Sequence, residues 1–200
     1  MKTLFIPAKS KLKLDKSLTN NLSKKLPQNI AIAYSIQYKS QAEELNKILK
    51  PVASTQVLGC SQPKFPKNTK AILLISDGKF HATSLAMETK LPTYILENNK
   101  LSKISSKDIE VLRKKQKAAY VKFLNSKEVG IIISTKPGQQ RLKRAMEFKK
   151  KLKSKHSYLF ICNNINTSEF ENFGLDSWVN TACPRLDMND ARVVNIDNIK

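Results

Sequence analysis

Short runs of aliphatic and β-branched residues recur along this chain, each separated from the next by a polar, lysine-rich stretch. The runs Leu4–Ile6, Ile30–Tyr34, Ala71–Ile75, Thr93–Leu96, Val129–Ile133, Ser157–Ile161 and Trp178–Asn180 are nearly continuous in hydrophobicity, as strands buried on both faces are. Between them, Lys39–Leu49, His81–Met87, Lys107–Phe123 and Gln139–Lys153 read as helices. In the last of these, Leu142, Ala145, Met146, Phe148 and Leu152 fall within half a helical wheel at about 100° per residue. Strand–helix–strand alternation requires parallel sheets joined by right-handed crossovers. The expected fold class is therefore α/β: two small domains, each a short parallel sheet flanked by helices. The domain boundary is placed near Asn125, giving units 1–125 and 126–200. The polar stretch Glu97–Lys107 is expected to be a loop.

Composition narrows the class further. With 200 residues, 40% hydrophobic and 26% charged, the chain can bury a core without disulfide staples. No apolar run approaches the ~18 residues of a membrane span, and Met1–Pro7 is too short and too weakly basic for a signal peptide. A cytoplasmic protein without membrane contact is expected. Lys and Arg total 36 against 16 Asp and Glu, a net charge of +20, which attracts polyanions such as RNA or acidic protein faces. The same excess also fits ordinary solvated helix faces, because the basic clusters 113–117 and 149–151 lie on expected helices without interleaved aromatics.

Ligand sites in parallel sheets lie beyond the carboxyl ends of the strands, and four segments occupy such places. Cys60 follows Val57-Leu58-Gly59, and Ser76-Asp77-Gly78-Lys79-Phe80-His81 follows the run Ala71–Ile75. Ser134-Thr135-Lys136-Pro137-Gly138-Gln139 follows Val129–Ile133, and Thr181-Ala182-Cys183-Pro184-Arg185 follows Trp178–Asn180. The third segment lacks the spacing of a P-loop, but a glycine turn opening into a helix offers free N–H groups to a carboxylate or phosphate. Neither histidine has a partner at metal spacing, and His156 reads as a surface residue. The three cysteines, Cys60, Cys162 and Cys183, form no CxxC pair. Cys60 and Cys183 each sit after a strand, one in each half, where thiolates suit an iron–sulfur cluster or remain inert core thiols.

Taken together, Val57-Leu58-Gly59-Cys60, Phe80-His81, the run from Ile131 to Arg141 and Thr181-Ala182-Cys183-Pro184-Arg185 resemble, in order and approximate spacing, the diphthamide-synthesis 3-amino-3-carboxypropyl transferase family. The resemblance covers the family's second and third domains, with the tail of its first domain at residues 1–7. It implies a 4Fe–4S cluster, with Cys60 resembling the second-domain ligand and Cys183 the third. It further implies S-adenosylmethionine as substrate, cleaved by an electron from the cluster so that a 3-amino-3-carboxypropyl group passes to a histidine of translation elongation factor 2. By the same likeness Asp77, Gly78, Phe80, His81, Ser134, Thr135, Lys136, Gly138, Gln139 and Arg141 line the S-adenosylmethionine pocket, Gly138 lying at the start of a helix. No side chain is assigned a catalytic role, because the cofactor carries the chemistry.

The family's first cysteine has no counterpart here, and Ala82 stands where a proline commonly follows the Phe-His pair. Cys162 lies where the family places no ligand and is expected to be a core thiol. Because two thiolates are a short set for a catalytic cluster, the resemblance implies a split enzyme. Its missing first domain would come from a separate chain or a homologous subunit. Alternatives are a non-catalytic supporting subunit of that transferase or a basic α/β RNA-binding protein, although the main reading does not require RNA.

Overall fold

The computed structural model describes Leu4, Ile6 and residues 8–58 and 63–199, with backbone alone at 188 and 189. Two compact units are present, Met1–Ile109 and Glu110–Lys200.

The first unit runs α1 (Lys16–Lys25), β1 (Ile30–Tyr34), α2 (Lys39–Leu49), β2 (Ala53–Gln56), β3 (Ala71–Ile75), α3 (Lys79–Thr89), β4 (Thr93–Glu97) and β5 (Lys100–Lys103). Its sheet has the order β2-β1-β3-β4-β5, parallel except for the β4–β5 pair. Alternation along the strands feeds two cores. Ile30, Ile32, Leu73 and Ile75 pack with Leu22 of α1 and Ala42 and Leu45 of α2 on one face. Ala33, Ile72, Leu74 and Ile95 pack with Ala82, Leu85 and Ala86 of α3 on the other. Both faces are covered, which is why these strands read as unbroken apolar runs.

The stretch expected as the loop Glu97–Lys107 instead holds a hairpin. Asn98 and Asn99 take φ values of 47° and 60°, the left-handed pair that a two-residue hairpin turn requires and asparagine tolerates. The returning strand β5 is polar because it forms the sheet edge, where lysines discourage further pairing. Ser105 then starts α4 (Ser106–Asn125) with a reciprocal cap. Its Oγ accepts from the Asp108 N–H, and its own N–H and hydroxyl donate to the Asp108 carboxylate. Of the expected strand Leu4–Ile6, Phe5 lies outside the described residues, and Leu4 and Ile6 are exposed.

The second unit holds β6 (Glu128–Ser134), α5 (Leu142–Lys151), β7 (His156–Cys162), a 3-10 helix (Thr167–Phe173), β8 (Ser177–Asn180), α6 (Leu186–Asn189) and β9 (Val193–Asn195). The strands are all parallel in the order β7-β6-β8-β9. One face packs Val129, Ile131, Ile133, Val179 and Val194 against Ala145 of α5 and Ala119 and Phe123 of α4. Hence the compact division falls inside α4, ahead of Asn125. The other face carries Ile132, Phe160, Phe170, Trp178 and Val193. Trp178 lies in register opposite Gly130 of β6, and a Cβ at Gly130 would meet the indole Cε3 at 2.3 Å. Only glycine leaves room for the ring.

Helix α5 starts at Leu142 rather than Gln139. The Gln139 N–H donates to the Lys136 carbonyl at 3.0 Å, and Gly138 has φ 77°, so Pro137-Gly138 forms a reverse turn that cannot run directly into a helix. The expected apolar stripe also splits. Ala145, Phe148 and Leu152 face the core, while Leu142 and Met146, further round the helix, are exposed.

Candidate functional site

In the first unit, the segment after β3 is held by groups from neighbouring strands. The Asp77 carboxylate accepts the Tyr38 hydroxyl proton on Oδ1 and a bond from Gln37 Nε2 at 3.3 Å on Oδ2. Tyr38 and Gln37 belong to the short 3-10 turn Ile36–Tyr38 after β1, brought beside β3 by the parallel register. Burial, and then the bond to the anionic Asp77, push the Tyr38 phenol up to about 12. The Gly78 N–H donates to Oε1 of Glu97, the last residue of β4. Ser76 Oγ lies 3.1 Å from His81 Nδ1, and the His81 ring meets Phe80 edge-on. His81 is thus the third residue of α3, held by the loop that precedes it. The first unit therefore gathers Asp77, Gly78, Phe80 and His81 at one end of its sheet.

In the second unit, Ser134 closes β6 and is fully buried. Its Oγ accepts from the Lys136 N–H at 3.1 Å, and the Thr135 N–H donates to the Cys162 carbonyl at 3.0 Å. Gly138 sits in the reverse turn, four residues ahead of the first helical residue. The expected helix N-terminus at Gly138 is thus corrected: the free helical N–H groups begin at Leu142. Arg141 stands at the entry to α5 with its guanidinium 3.9 Å from the Asp197 carboxylate, which also binds Arg144.

The segment after β8 is the most fully determined. Asn180 Oδ1 accepts from the Ala182 N–H at 2.9 Å, and Asn180 Nδ2 donates to the Cys183 carbonyl at 2.7 Å and to Asn195 Oδ1 at 2.6 Å. Asn195 Nδ2 donates to the Pro184 carbonyl at 2.8 Å, and Thr181 Oγ1 donates to the Ile132 carbonyl at 2.7 Å. The Cys183 thiol that emerges from this turn is half-buried and unbridged. Behind it, Asp187 of α6 is buried and accepts from Gln116 Nε2 at 3.0 Å. Burial pushes its carboxyl up to about 6, against the lowering effect of that bond.

Cys60 lies outside the described residues. Cys162 ends β7 opposite Ser134, its sulfur 3.9 Å from the Ile133 carbonyl and its thiol pushed up by burial and then by the Glu169 charge. It borders a cavity of about 210 Å³ lined by Phe160, Phe170, Phe173 and Trp178. His156 opens β7 and is exposed. Among the described residues, no group of three or more His, Cys, Asp or Glu is placed to hold a metal ion. Among the described residues, Cys162 and Cys183 are both unbridged thiols, and Cys183, on the turn after β8, offers a soft donor that suits one corner of an iron–sulfur cluster. No described helix is long and apolar enough to cross a membrane.

The residues missed in the sequence are those that hold the loops: Gln37, Tyr38, Glu97, Asn180 and Asn195. Gln37 and Tyr38 follow an expected strand, the one placement that could have signalled them.

Residues 1–193 match the family model described as "Putative diphthamide synthesis protein". The chain belongs to this family. Among curated members of the diphthamide synthesis family, it is similar to the 2-(3-amino-3-carboxypropyl)histidine synthase of Methanocaldococcus jannaschii. That match is 31% identical and covers 95% of this chain and 57% of that protein. The synthase of the same name from Pyrococcus horikoshii is 28% identical over 94% of this chain and 60% of its own length. The chain thus spans a little under two thirds of these relatives. The crystal structure of Dph2 from Pyrococcus horikoshii superposes with a TM-score of 0.82 at 26% identity, covering 95% of this chain and 62% of that one. A second structure of that protein contains a 4Fe–4S cluster; it has a TM-score of 0.78 and covers 92% of this chain and 60% of that one.

Proposed function

We propose that this chain forms two of the α/β units of a 2-(3-amino-3-carboxypropyl)histidine synthase. The enzyme would transfer the 3-amino-3-carboxypropyl group from S-adenosylmethionine to a histidine of elongation factor 2, the first step of diphthamide synthesis. Residues 1–125 correspond in this reading to the second domain and 126–200 to the third. A first-domain segment supplies the family length that this chain does not span. The observation that carries the proposal is the similarity, over nearly all of this chain, to proteins named as that synthase.

Cys183 and Cys60 are assigned as ligands of a 4Fe–4S cluster, which when bound would supply the electron that breaks the Cγ–S bond of the sulfonium. The chain's own residues bind and orient. Asp77, fixed by Tyr38 and Gln37, presents a carboxylate suited to an ammonium or ribose hydroxyl, and Phe80 and His81 supply ring surface. Thr135, Lys136, Gly138, Gln139 and Arg141 form a cationic, turn-rich rim suited to the methionine carboxylate, braced from beneath by the buried Ser134 hydroxyl on the Lys136 N–H. Relatives named "subunit 1", such as the human protein (25% identical over 68% of this chain), favour action within an assembly.

Anaerobic reconstitution with iron and sulfide, together with the first-domain segment, tests the ligand assignment. The parent assembly is expected to hold a cluster visible by electron paramagnetic resonance after reduction. Cys60→Ala and Cys183→Ala should lose it while circular dichroism stays unchanged. Full iron retention in either variant would refute the assignment of that cysteine.

A further inference from the structure

We propose that Asn180 and Asn195 form a clamp that sets the direction of the Cys183 thiol, making them positioning residues of the site. The geometry is independent of the cluster; only the purpose rests on reading Cys183 as a ligand.

The two asparagines pair in register across β8 and β9 and are 2% and 6% exposed. Valine at both positions would continue the apolar pattern of Trp178-Val179 and Val193-Val194 and would avoid burying two amides. The strands do not need the amides either, because the β8–β9 ladder already joins them. Instead, three of the amide bonds go to the turn backbone: Asn180 grips the Ala182 N–H and the Cys183 carbonyl, and Asn195 grips the Pro184 carbonyl. The remaining bond, Asn180 Nδ2 to Asn195 Oδ1, locks the two amides together. The carbonyls of Cys183 and Pro184 are held a second time by the N–H groups of Leu186 and Asp187 at 3.1 and 3.4 Å. Pro184 fixes φ immediately after the thiol. The peptide plane that follows the Cys183 side chain is thereby held through its carbonyl, and the chain is gripped again on either side of it, at the Ala182 N–H and the Pro184 carbonyl, which narrows the directions the sulfur can take. A thiol aimed in this way reaches its target without first paying the conformational entropy of ordering a loop.

The test uses the full chain carrying Cys60→Ser and Cys162→Ala, so that 2,2′-dithiodipyridine reports on Cys183 alone across acid and neutral pH. Asn195→Ala removes one bond to the turn and the acceptor for Asn180. The thiol should react about tenfold faster at every pH, the equivalent of losing about 1.4 kcal/mol of hydrogen bonding. Asn195→Asp distinguishes aiming from simple stability. Near about pH 5 a buried, protonated carboxyl still accepts from Asn180 and donates to the Pro184 carbonyl, so the rate should match the parent. Near about pH 8 the ionised form repels that carbonyl, and the rate should rise to that of the alanine variant. Parental rates in folded Asn195→Ala overturn the clamp. If that variant does not fold, a pH-independent ratio of Asn195→Asp to parent overturns it. These outcomes leave the ligand assignment standing. That assignment fails separately, if Cys183→Ala keeps its iron.

Discussion

Replacing Gly130 by alanine puts a methyl group 2.3, 2.5 and 2.9 Å from three carbons of the Trp178 ring. Carbon atoms rest at about 3.5–4.0 Å, so the ring has to retreat by more than about 1 Å. Retreat is blocked, because Trp178 is 1% exposed, stacked on Phe170 at 4.0 Å and packed against Phe160 at 4.7 Å. Gly130 cannot yield either, being paired in register with Tyr158 of β7 and Trp178 of β8. Overpacking of this kind costs about 3 kcal/mol, the upper part of its usual range. For a unit of this size that corresponds to a fall of about 12–24 °C in Tm. Thermal unfolding followed by the emission of the single tryptophan reads the second unit directly. Adding Trp178→Leu should relieve the clash, so the double variant, followed by circular dichroism, should fall short of the summed losses by about 1–2 kcal/mol. A loss below about 0.5 kcal/mol with unchanged emission would refute the packing argument.

Asp187 carries a carboxyl raised to about 6 by burial, so the folded state holds its proton more tightly than the unfolded chain does. Stability from this group is present at about pH 4 and lost as pH rises through about 6, a change of about 2–3 kcal/mol. Asp187→Asn, which keeps an acceptor for Gln116, should raise Tm at neutral pH and flatten that slope; an unchanged slope in urea titrations would count against it. Tyr38→Phe removes the hydroxyl bound to Asp77 and should cost about 1–2 kcal/mol, measured by denaturant unfolding. In the parent, the raised phenol predicts stability that declines as pH rises from about 10 towards 12; the phenylalanine variant should lack that component.

Apolar continuity made the central strands and their helices legible, so β1, α2 and β3 have the bounds expected for them. Elements at the margins carried no such signal. Strand β2 is Ala-Ser-Thr-Gln and β5 is Lys-Leu-Ser-Lys, because edge strands face solvent and need little apolar surface. Helix α1 buries only Thr19 and Leu22 within its span. The hairpin at Asn98-Asn99 was hidden because its turn lacks the Asn-Gly pair that usually marks one. The strand-terminal position of Asp77, Ser134 and Cys183 followed from the α/β pattern alone. What holds them did not. Tyr38 reaches Asp77 across 39 residues, Glu97 reaches Gly78 across 19 and Asn195 reaches Asn180 across 15, contacts created by strand order in the sheets rather than by neighbouring sequence. The late start of α5 is local instead: the turn closed by the Gln139 N–H on the Lys136 carbonyl keeps Gln139 out of the helix expected to begin there.

The central claim is that this chain takes part in 3-amino-3-carboxypropyl transfer through Cys183. The direct measurement is the intact mass of elongation factor 2 after anaerobic incubation with S-adenosylmethionine, a reductant, the first-domain segment and this chain. The account predicts a gain of one 3-amino-3-carboxypropyl group on a histidine with the parent chain and none with Cys183→Ala, whose circular dichroism should match the parent. The same gain with Cys183→Ala, or with this chain omitted, would contradict it.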